Sequence, residues 1–274
     1  MRAIHYLGSK ARLAKWVQSY FPPHKLYVEP FGGGAGVLLN KPRSTVEVYN
    51  DLDGDVVNFF RVLRDPEKSA ELIRRLKLTP YARAEFNEAW RERKRPMQSD
   101  VDRAWALFVR ACTGVGLKGS IGRRPGFRRD GICASGEASR FLFTVNGLQM
   151  VAERLRSVVI ECQDALEVMA HYDCPETLFY LDPPYNAKGI TLYRNGIDHE
   201  ALLEACRSLK GGCVLSGYPS ELYDKALAGW HMETLDTSMA SFHAKRTTEC
   251  LWISPRTWKV LHRKRPMPLL ELCR

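Results

Sequence analysis

Leu178-Phe179-Tyr180-Leu181-Asp182-Pro183-Pro184-Tyr185 joins a short apolar run to an acidic, proline-stiffened corner. Two consecutive prolines hold φ near about −65° and carry no N–H, so a group lying against the corner meets only carbonyl oxygens and the Asp182 carboxylate. Such a corner suits a donor, an amine above all. Tyr185 adds a π-surface the size of a nucleobase, and base-on-aromatic stacking is worth roughly 1–3 kcal/mol. The stretch therefore reads as a strand ending in a pocket for an exocyclic amine on a flat ring. The bland alternative is a Pro-Pro turn whose aspartate caps the next element.

Similar short segments recur on either side: Leu26 to Val28, Thr45 to Tyr49, Val158 to Ile160 and Cys213 to Ser216. Helical patterns such as Leu52 to Leu63 and His199 to Leu209 separate them, and Thr248 to Ile253 reads as a last strand. Strands alternating with helices imply an α/β fold with a mostly parallel sheet covered on both faces. A first helix is expected over Ser9 to Phe21, capped by Ser9, striped by Leu13, Trp16, Val17, Tyr20 and Phe21, and stopped by Pro22-Pro23. Residues 65–154 are too long for a crossover and read as an inserted, mainly helical, basic domain. Helices are expected there over Tyr81 to Arg93 and Val101 to Cys112, started by Thr79-Pro80 and Ser99, with a Gly-rich basic loop from Lys118 to Gly131. That leaves 1–64 and 155–256 as the main domain and 257–274 as a basic tail with little to bury.

In an open parallel sheet, ligands bind beyond the carboxyl ends of the strands, so the residues closing each strand carry the most information. Here four strands end in an acid: Glu29, Asp51 after Asn50, Asp164 and Asp182. Glu29 runs into Pro30-Phe31-Gly32-Gly33-Gly34-Ala35-Gly36, a glycine-rich turn leading toward an expected helix. The glycines permit a sharp turn and close approach of a ligand, and an acid about twenty residues on can accept ribose hydroxyls. Asp51 has that spacing. Val37 stands where the third glycine of a dinucleotide fingerprint belongs, and the loop is not a Walker A. Acids around the pocket argue against a pyrophosphate and for a cationic ligand carrying an adenosine, which S-adenosylmethionine is.

Composition narrows the classes further. The 274 residues are 45% hydrophobic, enough for a proper core and against a disordered or fibrous chain. No run of about eighteen apolar residues suggests a membrane span, and the N-terminus lacks a signal-peptide core; a cytoplasmic protein is expected. Eight cysteines form no C-x-x-C pair, so neither a zinc site nor a redox dithiol is signalled and no metal is expected. A net charge of +10 favours a polyanionic partner.

With these motifs quoted, the chain resembles the Dam-type, or D12 class, N6-adenine DNA methyltransferases. The resemblance rests on the order Tyr6-Leu7-Gly8-Ser9-Lys10, then residues 28–36, Asn50-Asp51, the insertion, and Asp182 to Tyr185. It implies a seven-stranded Rossmann-like methyltransferase sheet with one antiparallel strand and an inserted target-recognition domain. It further implies that Lys10 and its neighbours touch the methionine part of S-adenosylmethionine, that the Glu29 to Gly34 loop follows, that Asp51 holds the ribose, and that Asp164 beside Ala165 holds the cofactor adenine. Asp182, Pro183, Pro184 and Tyr185 are the expected catalytic corner, acting on an adenine flipped out of double-stranded DNA. Arg110, Lys118, Arg123, Arg124, Arg128 and Arg129 are candidate DNA contacts. Arg91 to Arg95 reads instead as a solvated helix end. The chain departs from the family within the insertion: Val109 to Gly119 replaces the usual Asn-Arg-x-Gly-Phe-Asn-Gly stretch, so the target sequence does not transfer. The expected assembly is a monomer or a transient dimer on DNA. The competing readings are an RNA N6-adenine or protein glutamine methyltransferase, an NAD-dependent oxidoreductase, and a catalytically dead DNA-binding relative.

Overall fold

The computed structural model describes residues 1–93, 95, 99–115, 124–128, 136–184, 197–238 and 246–263, to which every structural statement refers. Its strands are β1 (Leu26–Glu29), β2 (Val46–Asn50), β3 (Val158–Glu161), β4 (Thr177–Leu181), β5 (Gly212–Gly217), β6 (His231–Ser238) and β7 (Arg246–Ile253). They form one seven-stranded sheet in the order β3-β2-β1-β4-β5-β7-β6. Neighbours from β3 through β5 pair parallel, and β7 lies antiparallel to both β5 and β6. This is the Rossmann-like methyltransferase arrangement, with one strand reversed. β4 and β5 are buried at every position, which is why they read as unbroken apolar or small-residue runs. β6 was not singled out in the sequence. It is the edge strand, and alternate residues from His231 to Asp236 face solvent, so no apolar run marks it.

The helices are α1 (Ala14–Gln18), α2 (Gly54–Arg64), α3 (Pro66–Leu78), α4 (Arg83–Glu92), α5 (Asp100–Thr113), α6 (Glu137–Leu155), α7 (Ala165–Tyr172), α8 (His199–Ser208), α9 (Glu221–Ala226) and α10 (Pro255–Leu261). Local start signals account for several of them. Asp53 accepts from Asp55 N ahead of α2, Asp65 accepts from Glu67 N and Lys68 N ahead of α3, and Ser99 with Asp102 completes a capping box at α5.

Several local expectations are corrected. The helix expected over Ser9 to Phe21 is a 3-10 turn, Lys10–Arg12, followed by the short α1, and Ser9 makes no side-chain cap. Here the backbone is pressed onto the glycine loop: a Cβ on Gly36 would lie 2.7 Å from Ala11 N. The glycine loop leads only to another 3-10 turn, Leu38–Asn40. Thr79 does not start α4; its hydroxyl donates to Arg75 O and accepts from Trp105 Nε1. α3, within residues 65–154, and α6, which ends one residue past that span, were not anticipated. Phe108 of α5 and Phe141, Leu148 and Leu155 of α6 belong to the same apolar cluster as Phe59 of α2 and Tyr49 of β2. These side chains of α5 and α6 pack in one cluster with those of the sheet and α2. The expected tail is likewise anchored at its start, because buried Thr257 accepts from Cys213 N at 3.0 Å and Trp258 stacks on His231. No helix among the described residues is long and apolar enough to cross a membrane.

Candidate active site

Strand order reverses between β1 and β4, so a crevice opens beyond their carboxyl ends. The cleft there measures about 1740 Å³. Its lining includes Tyr6, Gly8, Ser9, Lys10, Glu29, Pro30, Phe31, Gly32, Gly33, Gly34, Asn50, Asp51, Asp164, Ala165, Asp182, Pro183 and Pro184, so the structure brings the residues singled out in five separate stretches to one place. Tyr185 lies outside the described residues.

At its centre is a buried ion cluster. Lys10 Nζ lies 3.0 Å from Asp182 Oδ1 and 3.6 Å from Glu249 Oε2. Burial alone would depress the Lys10 pKa, but Asp182 and Glu249 outweigh it and hold the ammonium above its ordinary range. Ser216 Oγ donates to Asp182 Oδ1 at 2.8 Å and is 3.2 Å from the Tyr180 hydroxyl. Glu249 sits in β7 and is raised, first by burial and also by Asp182, against the pull of Lys10. Ser216, Tyr218 and Glu249 fall in Val214 to Tyr218 and Lys245 to Trp252, segments that resemble the later strands and the target-base hairpin of the D12 class. None of the three was expected as a site residue; Tyr218 and Glu249 also line the cleft. The signal available for Glu249 was an acid directly before the apolar run Cys250-Leu251-Trp252-Ile253.

The acids of β1 and β2 are held by backbone. Glu29 Oε2 accepts from the Tyr27 hydroxyl at 2.8 Å and Leu38 N at 3.0 Å; burial raises its carboxyl to about 8. Asp51 accepts from Gly33 N at 2.7 Å and Asp53 N at 2.8 Å, and burial raises it to about 6. Asn50 stitches the loops together, donating to Pro30 O and Gln163 O and accepting from Gln163 N. Asp164 caps α7 through Leu166 N and is otherwise exposed. The glycines have an internal reason. A Cβ on Gly32 would come within 2.2 Å of the Tyr49 ring, and one on Gly34 within 2.8 Å of Tyr6 Cβ. Close packing of the chain on itself thus requires them before any ligand arrives. With acids at four strand ends and the Lys10 ammonium already committed to two of the site's carboxylates, the donor set fits a cationic ligand and opposes a pyrophosphate.

Residues 6–225 match the D12 class N6 adenine-specific DNA methyltransferase family. The chain belongs to that family. No curated protein matches it. Among solved structures, a precorrin 8W decarboxylase from Methanobacterium thermoautotrophicum is similar at 10% identity over 89% of each chain with a TM-score of 0.37, too low to add to the topology.

As a D12 class methyltransferase, the chain has β6 and β7, with Glu249, beyond the matched range. Its candidate DNA contacts divide. Arg110 is corrected: it is 2% exposed, pairs with Asp55 Oδ2 at 3.3 Å and packs over the Trp90 ring, so it faces the helical core and no substrate. Burial lowers its pKa to about 10. Arg124 is exposed and bonds Asn87, while Arg128 lines the cleft. Lys118, Arg123 and Arg129 lie outside the described residues. Of the expected solvated helix end, Arg91 and Arg95 are exposed, whereas Glu92 is buried and Arg93 is partly covered beside Asp55.

Proposed function

We propose that this methyltransferase moves the methyl group of S-adenosylmethionine to N6 of an adenine flipped out of double-stranded DNA. The observation that carries the reading is Asp182, ending the central strand β4 beside buried Lys10, with the acids of β1 and β2 on the other side of the same cleft. S-adenosylmethionine supplies an electrophilic methyl on a cationic sulfur. Asp51 would accept the ribose hydroxyls, Asp164 with Ala165 would meet the cofactor adenine, and residues 6–10 with Glu29 would border the methionine end.

The N6 lone pair is delocalised into the purine and attacks poorly. Asp182 and the Pro183 carbonyl accept the two amine hydrogens and thereby favour a pyramidal, more nucleophilic nitrogen. Pro183 and Pro184 offer no N–H to compete. Lys10 and Ser216 hold the Asp182 carboxylate in position, a role distinct from the cofactor contact expected of Lys10. Tyr185 receives the flipped base by stacking, and residues 65–154 contact the surrounding duplex.

The test supplies labelled S-adenosylmethionine with duplex DNA, RNA and peptide in parallel. Label should enter DNA as N6-methyladenine, and Asp182→Ala should reduce incorporation by at least about 10²-fold, the scale of removing one aligned polar group from the transition state. Undiminished incorporation by Asp182→Ala, or label in RNA or peptide alone, overturns the proposal.

A further inference from the structure

The cleft has a second end, of opposite charge. Beside the acids it is lined by Arg2, His5, Arg12, Arg128 and Arg140. Glu137 is the carboxylate that faces this group, bonded to Arg128 at 3.2 Å and Arg140 at 2.8 Å. The Arg12 charge acts on Arg2, and His5 is pressed down to about 4 by burial and then by Arg2 and Arg128, so it is neutral near pH 7. Among the described residues, four guanidiniums and the Glu137 carboxylate leave a surplus of positive charge inside a concave wall, where an anion is drawn in most strongly.

The neighbouring wall is one face of α6. Arg140, Phe143, Gly147 and Met150 follow the three-and-four spacing of a single helical stripe, and all line the cleft. Phe141, Val145 and Leu148, on the other side of the helix, are buried in the core. Phe143 is 81% exposed and Met150 58%, so neither serves the core. A flat aromatic set beside surplus guanidinium charge is the combination that holds a nucleic-acid strand: the cations take phosphate, the ring takes a base face.

We propose that this basic end is a phosphate subsite for the substrate DNA strand, in which Arg2, Arg12 and Arg140 bind backbone phosphate and Phe143 packs against a base next to the extruded adenine. The proposal rests on the methyl-transfer reading and deepens it. The two sets of charges in the cleft then divide the work, the acids taking the cationic cofactor and the arginines the polyanion.

The experiment measures affinity for a labelled DNA duplex by fluorescence anisotropy over a range of salt concentrations. It compares the wild type, Arg12→Gln with Arg140→Gln, the matching double Lys variant, Phe143→Ala, Phe143→Trp, and Arg91→Gln as a single-charge control on a solvated helix end. Removing one phosphate-binding cation should lower the slope of log affinity on log salt by about 0.9, so the double Gln variant should lower it by about 2. The double Lys variant should keep most of the slope and Arg91→Gln all of it. Phe143→Ala should weaken binding roughly tenfold, and Phe143→Trp should restore it. Cofactor affinity, read by calorimetry, should stay constant throughout and confirms folding. Equal slopes for wild type and the double Gln variant overturn the subsite, as does a slope change seen only with an RNA duplex. If the wild type binds duplex DNA yet incorporates no methyl group, the methyl-transfer reading fails and the slopes still decide the subsite.

Discussion

Two buried ion clusters in this protein are built from the same kinds of residue and serve opposite ends. Glu47, 1% exposed, is gripped by Lys41 at 2.6 Å and by both terminal nitrogens of Arg154 at 2.5 and 2.7 Å. Lys41 also donates to Pro42 O and Ser44 Oγ, and Arg154 to Leu38 O. Around Lys10 the contacts are longer, at 3.0 and 3.6 Å, and open on the cleft. Burial pushes both glutamates up. At Glu47 the hydrogen bonds of Arg154 and Lys41 overcome it and the carboxyl ends below its ordinary value. At Glu249 the Lys10 charge is too distant to do so and Asp182 adds to the rise. A cluster saturated with short hydrogen bonds fastens β2 to α6. The other is held by longer ion pairs at the cleft wall.

The largest expected effect breaks the closed cluster. Glu47→Ala strands two cations inside the protein and should cost about 3–5 kcal/mol in urea unfolding; a loss under about 1 kcal/mol would remove the distinction between the clusters. Because the Glu47 pKa is lowered by folding, its contribution is present above the ordinary carboxylate range and lost as pH falls through the lowered value.

An intermediate effect tests an acid on the open side. Burial raises the Asp51 carboxyl to about 6, so its protonation below that pH would remove the acceptor proposed for the ribose. Cofactor affinity should fall by up to about tenfold per pH unit below about pH 6, or about 1.4 kcal/mol per unit. Calorimetry on Asp51→Asn should show weaker, pH-independent binding, and an unchanged pH profile would exclude Asp51 from the cofactor site.

The smallest effect on folding should come from Glu249→Gln. Its raised pKa means that the wild-type group favours folding below the ordinary carboxylate range and loses that contribution as pH rises through the folded value. The variant should therefore unfold within about 1 kcal/mol of wild type at neutral pH, with a flatter pH dependence. Lys10 would then turn wholly to Asp182 and compete with the substrate amine, lowering kcat roughly tenfold. Strong destabilisation with intact kcat would make the Lys10 cluster a second fastener.

Burial geometry explains which parts of the fold were legible. β4 and β5, buried on both faces, declare themselves as apolar runs; β6, wet along one face at the sheet edge, does not. The strand-end rule found Glu29, Asp51, Asp164 and Asp182 because each follows directly from where a strand stops. Glu249 escaped it by lying within β7, where only the antiparallel insertion of that strand between β5 and β6 carries it over Lys10. Arg110 was misread in the other direction. Basic residues on a helix usually face water, but α5 is buried along nearly its whole length and Asp55 waits beside it.

The amino-acid sequence by itself determined the alternation of strands and helices, the acids that close or follow four of the strands and the donor-free proline corner, since these depend on residues near one another in the chain. Tertiary structure alone decided which charges meet. Lys10, Asp182 and Glu249 come from distant parts of the chain, as does Arg140 relative to Arg2 and Arg12, and sheet order together with the docking of α6 brings them to one cleft. Coulomb energy depends on separation and on the surrounding dielectric, and neither exists until the chain has folded.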